Sequence, residues 1–220
     1  MVHAIRFFVA CDGSGFIHCS LGQRMVKRSS ATCLLAMPRR LRSIIVILLL
    51  AMLFVMAGAW LWGHPSIQAL VFGWQLRREP IPDSLPVPVQ GVRASRIADT
   101  WGGIRSGGRR HEGVDIFAPR GTAVRSSSDA LVLAVGDRGL GGKQVWTLGP
   151  GGERHYYAHL DSWADGLQRL DRLRAGDPIG QVGDTGNARG TPPHLHYGIY
   201  GINGARNPHP LLRDAPDDWE

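Results

Sequence analysis

The stretch TPPHLHYGIY, Thr191–Tyr200, decides how the second half of the chain is read. Tyr197 to Tyr200 favour a strand, because aromatic and β-branched residues suit a pleated surface. Strand side chains alternate with period two, so His194 and His196 share one face. Two imidazoles side by side on a strand face have few structural uses. Their evident chemical use is to bind a metal ion or to act beside one.

A second stretch, HEGVDIF at His111–Phe117, supplies partners. His111 and Asp115 stand four residues apart, which puts them on one face of either a helix or a strand. As a helix the segment would resemble the two-histidine pattern of helical zinc peptidases, but Asp115 occupies the place of the second histidine. Gly113, the β-branched Val114 and Ile116, and the turn at Ala118-Pro119-Arg120-Gly121 all disfavour a helix. The reading is a strand over 111–117 with His111, Gly113 and Asp115 on one face, Gly113 leaving open space between the other two.

Imidazole and carboxylate ligands suit Zn²⁺, with bonds of about 2.0–2.2 Å. A catalytic zinc commonly has three protein ligands and one open position. His111, Asp115 and one of His194 and His196 complete such a set. The other histidine of the pair then stands beside the metal, where a general acid or base acts.

Together these segments resemble the lysostaphin/LytM-type zinc endopeptidases, which cut peptide cross-links of bacterial peptidoglycan. The matching pieces are His111-Glu112-Gly113-Val114-Asp115, Tyr157-Ala158-His159-Leu160, and Gly183-Asp184-Thr185-Gly186-Asn187 leading into Pro193-His194-Leu195-His196. Each is weak alone; the three in this order are specific, and the resemblance spans roughly residues 95–210. It implies an all-β fold, a small Gly-rich antiparallel sheet or sandwich of lipoyl-like, duplicated hybrid type. It further implies one zinc per chain on His111, Asp115 and His196, catalytic roles for His159 and His194, and peptidoglycan stem peptides as substrate.

Composition agrees with the all-β expectation: many of the 29 glycines fall between residues 102 and 204, among short apolar runs. The net charge of +7 would suit nucleic-acid binding, but its distribution argues against that partner. Before Ser43 there are seven basic residues and one acidic; from Ser43 onward there are 18 and 17. The excess therefore lies on one side of IIVILLLAMLFVMAGAWLW, Ile44–Trp62, 19 residues without a charge. That run is long enough to cross a bilayer core of about 30 Å. Arg39, Arg40 and Arg42 precede it, and Trp60 and Trp62 end it. The expectation is a single-pass inner-membrane protein with a cytoplasmic N-terminus and a periplasmic catalytic domain. A cleaved signal peptide is the alternative, with Ala57-Gly58-Ala59 as its site.

Cys11, Cys19 and Cys33 all precede the apolar run, so the exported part has neither disulfide nor thiol nucleophile. Residues 1–36 read as an over-extended gene start or a disordered tail, with Met25 and Met37 as alternative starts. The expected organisation is a basic cytoplasmic tail over 1–42, a transmembrane anchor over 43–62, a juxtamembrane helix and Pro-rich linker over 63–90, and the zinc endopeptidase domain over 91–220. In the helix, Ile67, Leu70, Val71 and Trp74 share a face. Strands are expected at 123–124, 130–135, 144–148, 155–159, 178–182 and 194–200, with a short helical turn within 165–173. The tail over 207–212 is expected to pack back on the domain.

Among the other histidines, His155 reads as an edge or substrate-rim residue and His209 as structural or exposed. Arg105, Arg109 and Arg110 read either as solvated loop charge or as binders of substrate carboxylates. Gly183–Asn187 lacks the Lys-Ser/Thr ending of a phosphate-binding loop and reads as a frame for the cleft. Two other functions compete. A non-enzymatic cell-wall regulator that activates a separate hydrolase would lack zinc ligands, which are intact here. A lipoyl-type carrier needs a lysine at a hairpin tip, and Lys143 lacks the flanking pattern.

Overall fold

The structure, a computed structural model, describes residues 38–213. The expectations for residues 1–36 and for the three cysteines fall outside that range. Two units are distinct, one ending at Leu61 and one beginning at Trp62.

Helix α1, Arg39–Gly63, is the one helix among the described residues long and apolar enough to cross a membrane. Its 25 residues rise about 37 Å, more than a bilayer core needs. It stops because Pro65 disfavours helical backbone at His64. His64 instead caps the next helix, α2, Pro65–Arg78, its ring accepting from the Ser66 amide at 3.3 Å. Pro65 occupies the first helical turn, where its missing N–H costs nothing. The α2 face that packs inward is Ala69, Gly73 and Leu76, set against Leu131 and Leu148. Leu70 and Trp74, two of the four residues expected to share an apolar face, are exposed. Small residues at 69 and 73 admit a close approach to the sheet that Leu70 and Trp74 would block.

Ten strands follow: β1 (Val114–Phe117), β2 (Ala123–Arg125), β3 (Ala130–Arg138), β4 (Gly142–Leu148), β5 (Arg154–Ala158), β6 (Leu160–Trp163), β7 (Arg172–Leu173), β8 (Pro178–Val182), β9 (His194–Gly201) and β10 (Gly204–Arg206). They build a seven-stranded antiparallel sheet in the order β1-β9-β5-β4-β3-β7, with β10 also on β9, and a three-stranded sheet, β2-β8-β6. The all-β expectation holds. The strand expected over 111–117 is shorter, beginning at Val114. The helical turn expected within 165–173 is absent; successive turns, with Leu170 at φ 76°, lead instead into β7.

The core lies between the sheets. Val114 and Ile116 of β1, Leu195, Tyr197 and Ile199 of β9, Val145 of β4 and Tyr157 of β5 meet Val124, Leu160, Ile179 and Val182 of the smaller sheet. Fully burying such a side chain stabilises by roughly 1.5–3 kcal/mol. The Pro-rich segment expected as a linker is extended, but Leu85, Val87 and Val89 are buried in this core. Its backbone is bonded to the domain, Arg125 N–H donating to Pro88 O at 2.8 Å and Leu85 N–H to Leu211 O at 3.0 Å. The short helix α3, His209–Arg213, packs back with Leu211 and Leu212 buried. By strand alternation the opposite face of the larger sheet carries Asp115, Trp146, Tyr156, His194, His196 and Tyr200.

Candidate active site

That face forms the floor of a cleft of about 620 Å³. His196 stands between its neighbours in register, paired with Asp115 on one side and Ala158 on the other. His194 pairs with Phe117 at the end of β1. The alternation foreseen from the sequence thus brings His194, His196 and Asp115 to one surface, while Leu195 points into the core.

His111 precedes β1 and is held by a different device. Residues 102–111 fold into a tight loop: His111 N–H donates to Gly103 O at 2.8 Å, Gly102 N–H to His111 O at 2.9 Å, and Arg105 N–H to Arg109 O at 2.8 Å. Gly107 and Gly108, at φ 75° and 74°, make the turn at its tip. The His111 Nδ1–H donates to Thr100 O at 2.7 Å, which leaves Nε2 to face the cleft. Thr100 Oγ1 also accepts the Asp115 amide at 3.0 Å. One threonine therefore orients both residues, and no signal in the sequence marked it.

Three donor atoms converge. His111 Nε2 is 2.8 Å from His196 Nδ1 and 3.1 Å from Asp115 Oδ1, and His196 Nδ1 is 3.2 Å from Asp115 Oδ1. Zinc ligands at about 2.0–2.2 Å in tetrahedral geometry stand roughly 3.3–3.5 Å apart. The observed triangle is slightly tighter, and its two imidazole nitrogens and one carboxylate oxygen are the donor types that a divalent transition metal takes. The space above Gly113 is not open as expected: the His196 ring fills it. A Cβ on Gly113 would lie 2.7 Å from His196 Cε1 and 2.6 Å from Tyr197 O.

Burial alone would raise the Asp115 pKa. Hydrogen bonds from His111, His196 and Arg105 outweigh it and hold the carboxylate well below its usual range. Arg105, one of the two readings of which was solvated charge, bonds Asp115 Oδ2 and so leaves Oδ1 to the triangle. Burial lowers His196, with the nearby Asp115 charge opposing it.

His159 and His194 flank the triangle. Their rings are 5.1 Å apart, and His194 Nε2 is 4.0 Å from Asp115 Oδ1. Each donates Nδ1–H to a backbone carbonyl, His159 to Thr185 O and His194 to Pro192 O, both at 2.8 Å. A carbonyl can only accept, so in each neutral ring Nε2 carries the lone pair. Burial pushes His159 down to about 4, so it is neutral at pH 7. His159 lies just past the end of β5 and not within the strand expected over 155–159. Its φ of 62° breaks the strand and turns the side chain into the cleft. His155 is a core residue, 1% exposed, bonded to Tyr197 Oη and Ser127 Oγ at 2.7 and 3.2 Å. His209 is structural, with Nε2 at 3.0 Å from Ile97 O.

The loop Gly183–Asn187 frames the cleft as expected. Its Thr185 holds His159, and Arg120 braces it through Asp184 at 2.6 Å and through Asp161. Aromatic rings extend the floor beyond His196, Trp146 stacking on Tyr156 at 4.3 Å and tilting against Tyr200 at 5.2 Å. This platform was missed, although alternation along the three strands places all three rings on one face.

Residues 109–208 match the model of Peptidase family M23. The L-Ala--D-Glu endopeptidase of Bacillus subtilis is 38% identical over 141 residues, covering 59% of this chain and 43% of that protein. The DD-carboxypeptidase/endopeptidase Mpg of Neisseria meningitidis serogroup B is 39% identical over 107 residues, covering 49% and 22%. The catalytic domain of lysostaphin from Staphylococcus simulans is 30% identical, with 54% of this chain covering 92% of that one at a TM-score of 0.48. The chain spans less than half the length of these two curated relatives. With the matched segment enclosing the whole histidine–aspartate cluster, the chain belongs to peptidase family M23.

Proposed function

We propose that this protein is a zinc-dependent endopeptidase that hydrolyses peptide cross-links of bacterial peptidoglycan, held at the inner membrane by α1 with its catalytic domain outside the cytoplasm. The observation that carries the reading is the triangle of His111 Nε2, Asp115 Oδ1 and His196 Nδ1, flanked by two histidines whose Nε2 atoms face the same cleft. The names of the curated relatives support the substrate class. The intact ligand set gives the regulator reading no support.

In this proposal His111, Asp115 and His196 hold the zinc. When bound, zinc polarises a carbonyl and brings the pKa of water towards about 7. His159, neutral at pH 7, accepts a proton at Nε2 from the attacking water. The proton taken up at His159 Nε2 is then delivered to the leaving amine, and His194, when Nε2 carries a proton, donates that hydrogen to the developing oxyanion. Thr185 and Pro192 carbonyls fix both tautomers, so neither ring need reorient between steps.

The test is digestion of purified sacculi by the full chain in detergent micelles, with released muropeptides identified by mass. Cleaved stem peptides, lost together with zinc in His196→Ala, are expected. Intact muropeptides from a protein loaded with one zinc per chain would sink the endopeptidase reading.

A further inference from the structure

The rim of the cleft carries positive charge that the hydrolytic step does not use. Arg105 leaves one arm of the 102–111 loop and is engaged by Asp115. Arg109 and Arg110 lie on the other arm, directly before His111, and both are exposed and line the cleft. Their guanidiniums touch only backbone. Arg109 Nε donates to Ser106 O and Arg110 Nη1 to Gly102 O, each at a long 3.3 Å. A guanidinium has five N–H donors, so most of each fork is unengaged. Among the described residues no carboxylate pairs with either arginine. The acids lining the cleft are Glu112 and Asp115, and Asp115 is committed to Arg105 and the triangle. Three positions therefore run in sequence from two largely unengaged guanidinium forks to the site of hydrolysis, on a loop closed by backbone hydrogen bonds.

We infer that Arg109 and Arg110 form a carboxylate-binding subsite. The substrate they select is a peptide with a free carboxylate next to the bond that is cut, as against an uncharged bridge of small residues. Planar forks match carboxylates in a bidentate manner, which a diffuse surface charge does not. The inference rests on the endopeptidase reading and narrows it to one substrate class.

The experiment compares two synthetic cross-linked peptides that differ only in a carboxylate or a carboxamide beside the scissile bond. The full-length, zinc-loaded protein in detergent micelles is assayed for kcat/KM on each, and for Kd on each by competition. The wild type is expected to prefer the carboxylate by about tenfold in both measures. In R109Q/R110Q the two peptides should fall within about twofold of one another, with zinc content unchanged. Equal kcat/KM and Kd for the two peptides in the wild type would overturn the subsite. So would a preference that survives in R109Q/R110Q, which would assign it to other charges. Cleavage of neither peptide would count against the endopeptidase reading, and the Kd ratio would then decide the subsite by itself.

Discussion

Asp115 and His196 face one another directly across β1 and β9, with Asp115 Oδ1 3.2 Å from His196 Nδ1. Side chains directly opposed on an antiparallel pair lie on the same face and close together. The register of two strands therefore fixes two of the three converging atoms before any loop is placed. The third, His111 Nε2, depends on the loop before β1 and on the carbonyl of Thr100. The site is accordingly rigid on the sheet side and sensitive to backbone changes around residue 113.

Gly113→Ala should damage the site without touching a donor atom. The new methyl would stand 2.6 Å from the Tyr197 carbonyl, which is backbone, and 2.7 Å from the His196 ring. Neither can yield without moving β9 or rotating His196 off the triangle. Overpacking of this kind costs about 1–3 kcal/mol. Zinc affinity is expected to fall at least about tenfold, in the range seen when a ligand's orientation is lost. Competition with a chromogenic chelator measures it, and wild-type affinity in Gly113→Ala would show that His196 need not occupy that place.

Thr100→Val tests the support on the other side of the triangle. Valine keeps the shape but cannot accept the Asp115 amide, now bonded to Thr100 Oγ1 at 3.0 Å. An amide left without its acceptor costs about 1–3 kcal/mol. Urea denaturation should register that loss together with weakened zinc binding. Unchanged stability would mean that water replaces the hydroxyl.

Much of this site was legible because strand periodicity is simple. His194 and His196 face the cleft while Leu195 is fully buried, as alternation requires. The His111–Asp115 spacing also survives, although His111 lies before the strand. Three features were not legible, for different reasons. His159 reaches the cleft through a left-handed backbone, with its amide bonded to the Gly141 carbonyl and its ring to the Thr185 carbonyl, contacts distant in sequence. Leu85, Val87 and Val89 alternate with Pro86 and Pro88, so a strand-like period was present, but proline content favoured the linker reading. His155 could not be told from a rim residue, since its burial depends on Ser127 and Tyr197 far along the chain.

Membrane topology can be checked independently of catalysis. Seven basic residues and one acidic residue precede Ser43, against a near balance after it. The positive-inside rule then places the C-terminal side of α1 outside the cytoplasm. Alkaline phosphatase fused after Glu220 is expected to be active in cells. An inactive phosphatase, with an active cytoplasmic reporter at the same point, would reverse the orientation.

His159 and His194 should be separable from the ligands. His159→Ala and His194→Ala are expected to keep close to one zinc per chain, because neither ring lies in the triangle. Muropeptide release should nevertheless fall by about 10²–10⁴, the loss typical of a positioned acid or base. Wild-type cleavage by either variant would remove that residue from the mechanism. Loss of zinc in both, as complete as in His111→Ala, would instead make all five residues one ligand cluster.

The buried His155 should make the domain acid-labile in a defined window. Burial, with a smaller contribution from the nearby Arg206 charge, lowers its pKa from 6.5 to about 4. Burial also raises Tyr197 well above its ordinary value, so the tyrosine keeps its proton and donates it to His155 Nδ1. Protonating the ring would turn that acceptor into a second donor in a fully enclosed network. Between about pH 6.5 and 4 the unfolded chain therefore binds a proton that the folded chain refuses. Stability rises with pH wherever the unfolded state holds more protons. The contribution is complete above pH 6.5, falls as the pH drops, and is gone below about pH 4. A shift of this size corresponds to roughly 3 kcal/mol. His196 and His159 are lowered too, so the wild-type profile alone cannot isolate the effect. The difference between wild type and His155→Gln can. Urea denaturation at several pH values should show the variant less stable at pH 7.5 yet losing less stability on acidification. Parallel profiles for the two proteins would mean that His155 stays neutral in the unfolded chain or is charged in the folded one, and the buried-base account of this network would fail.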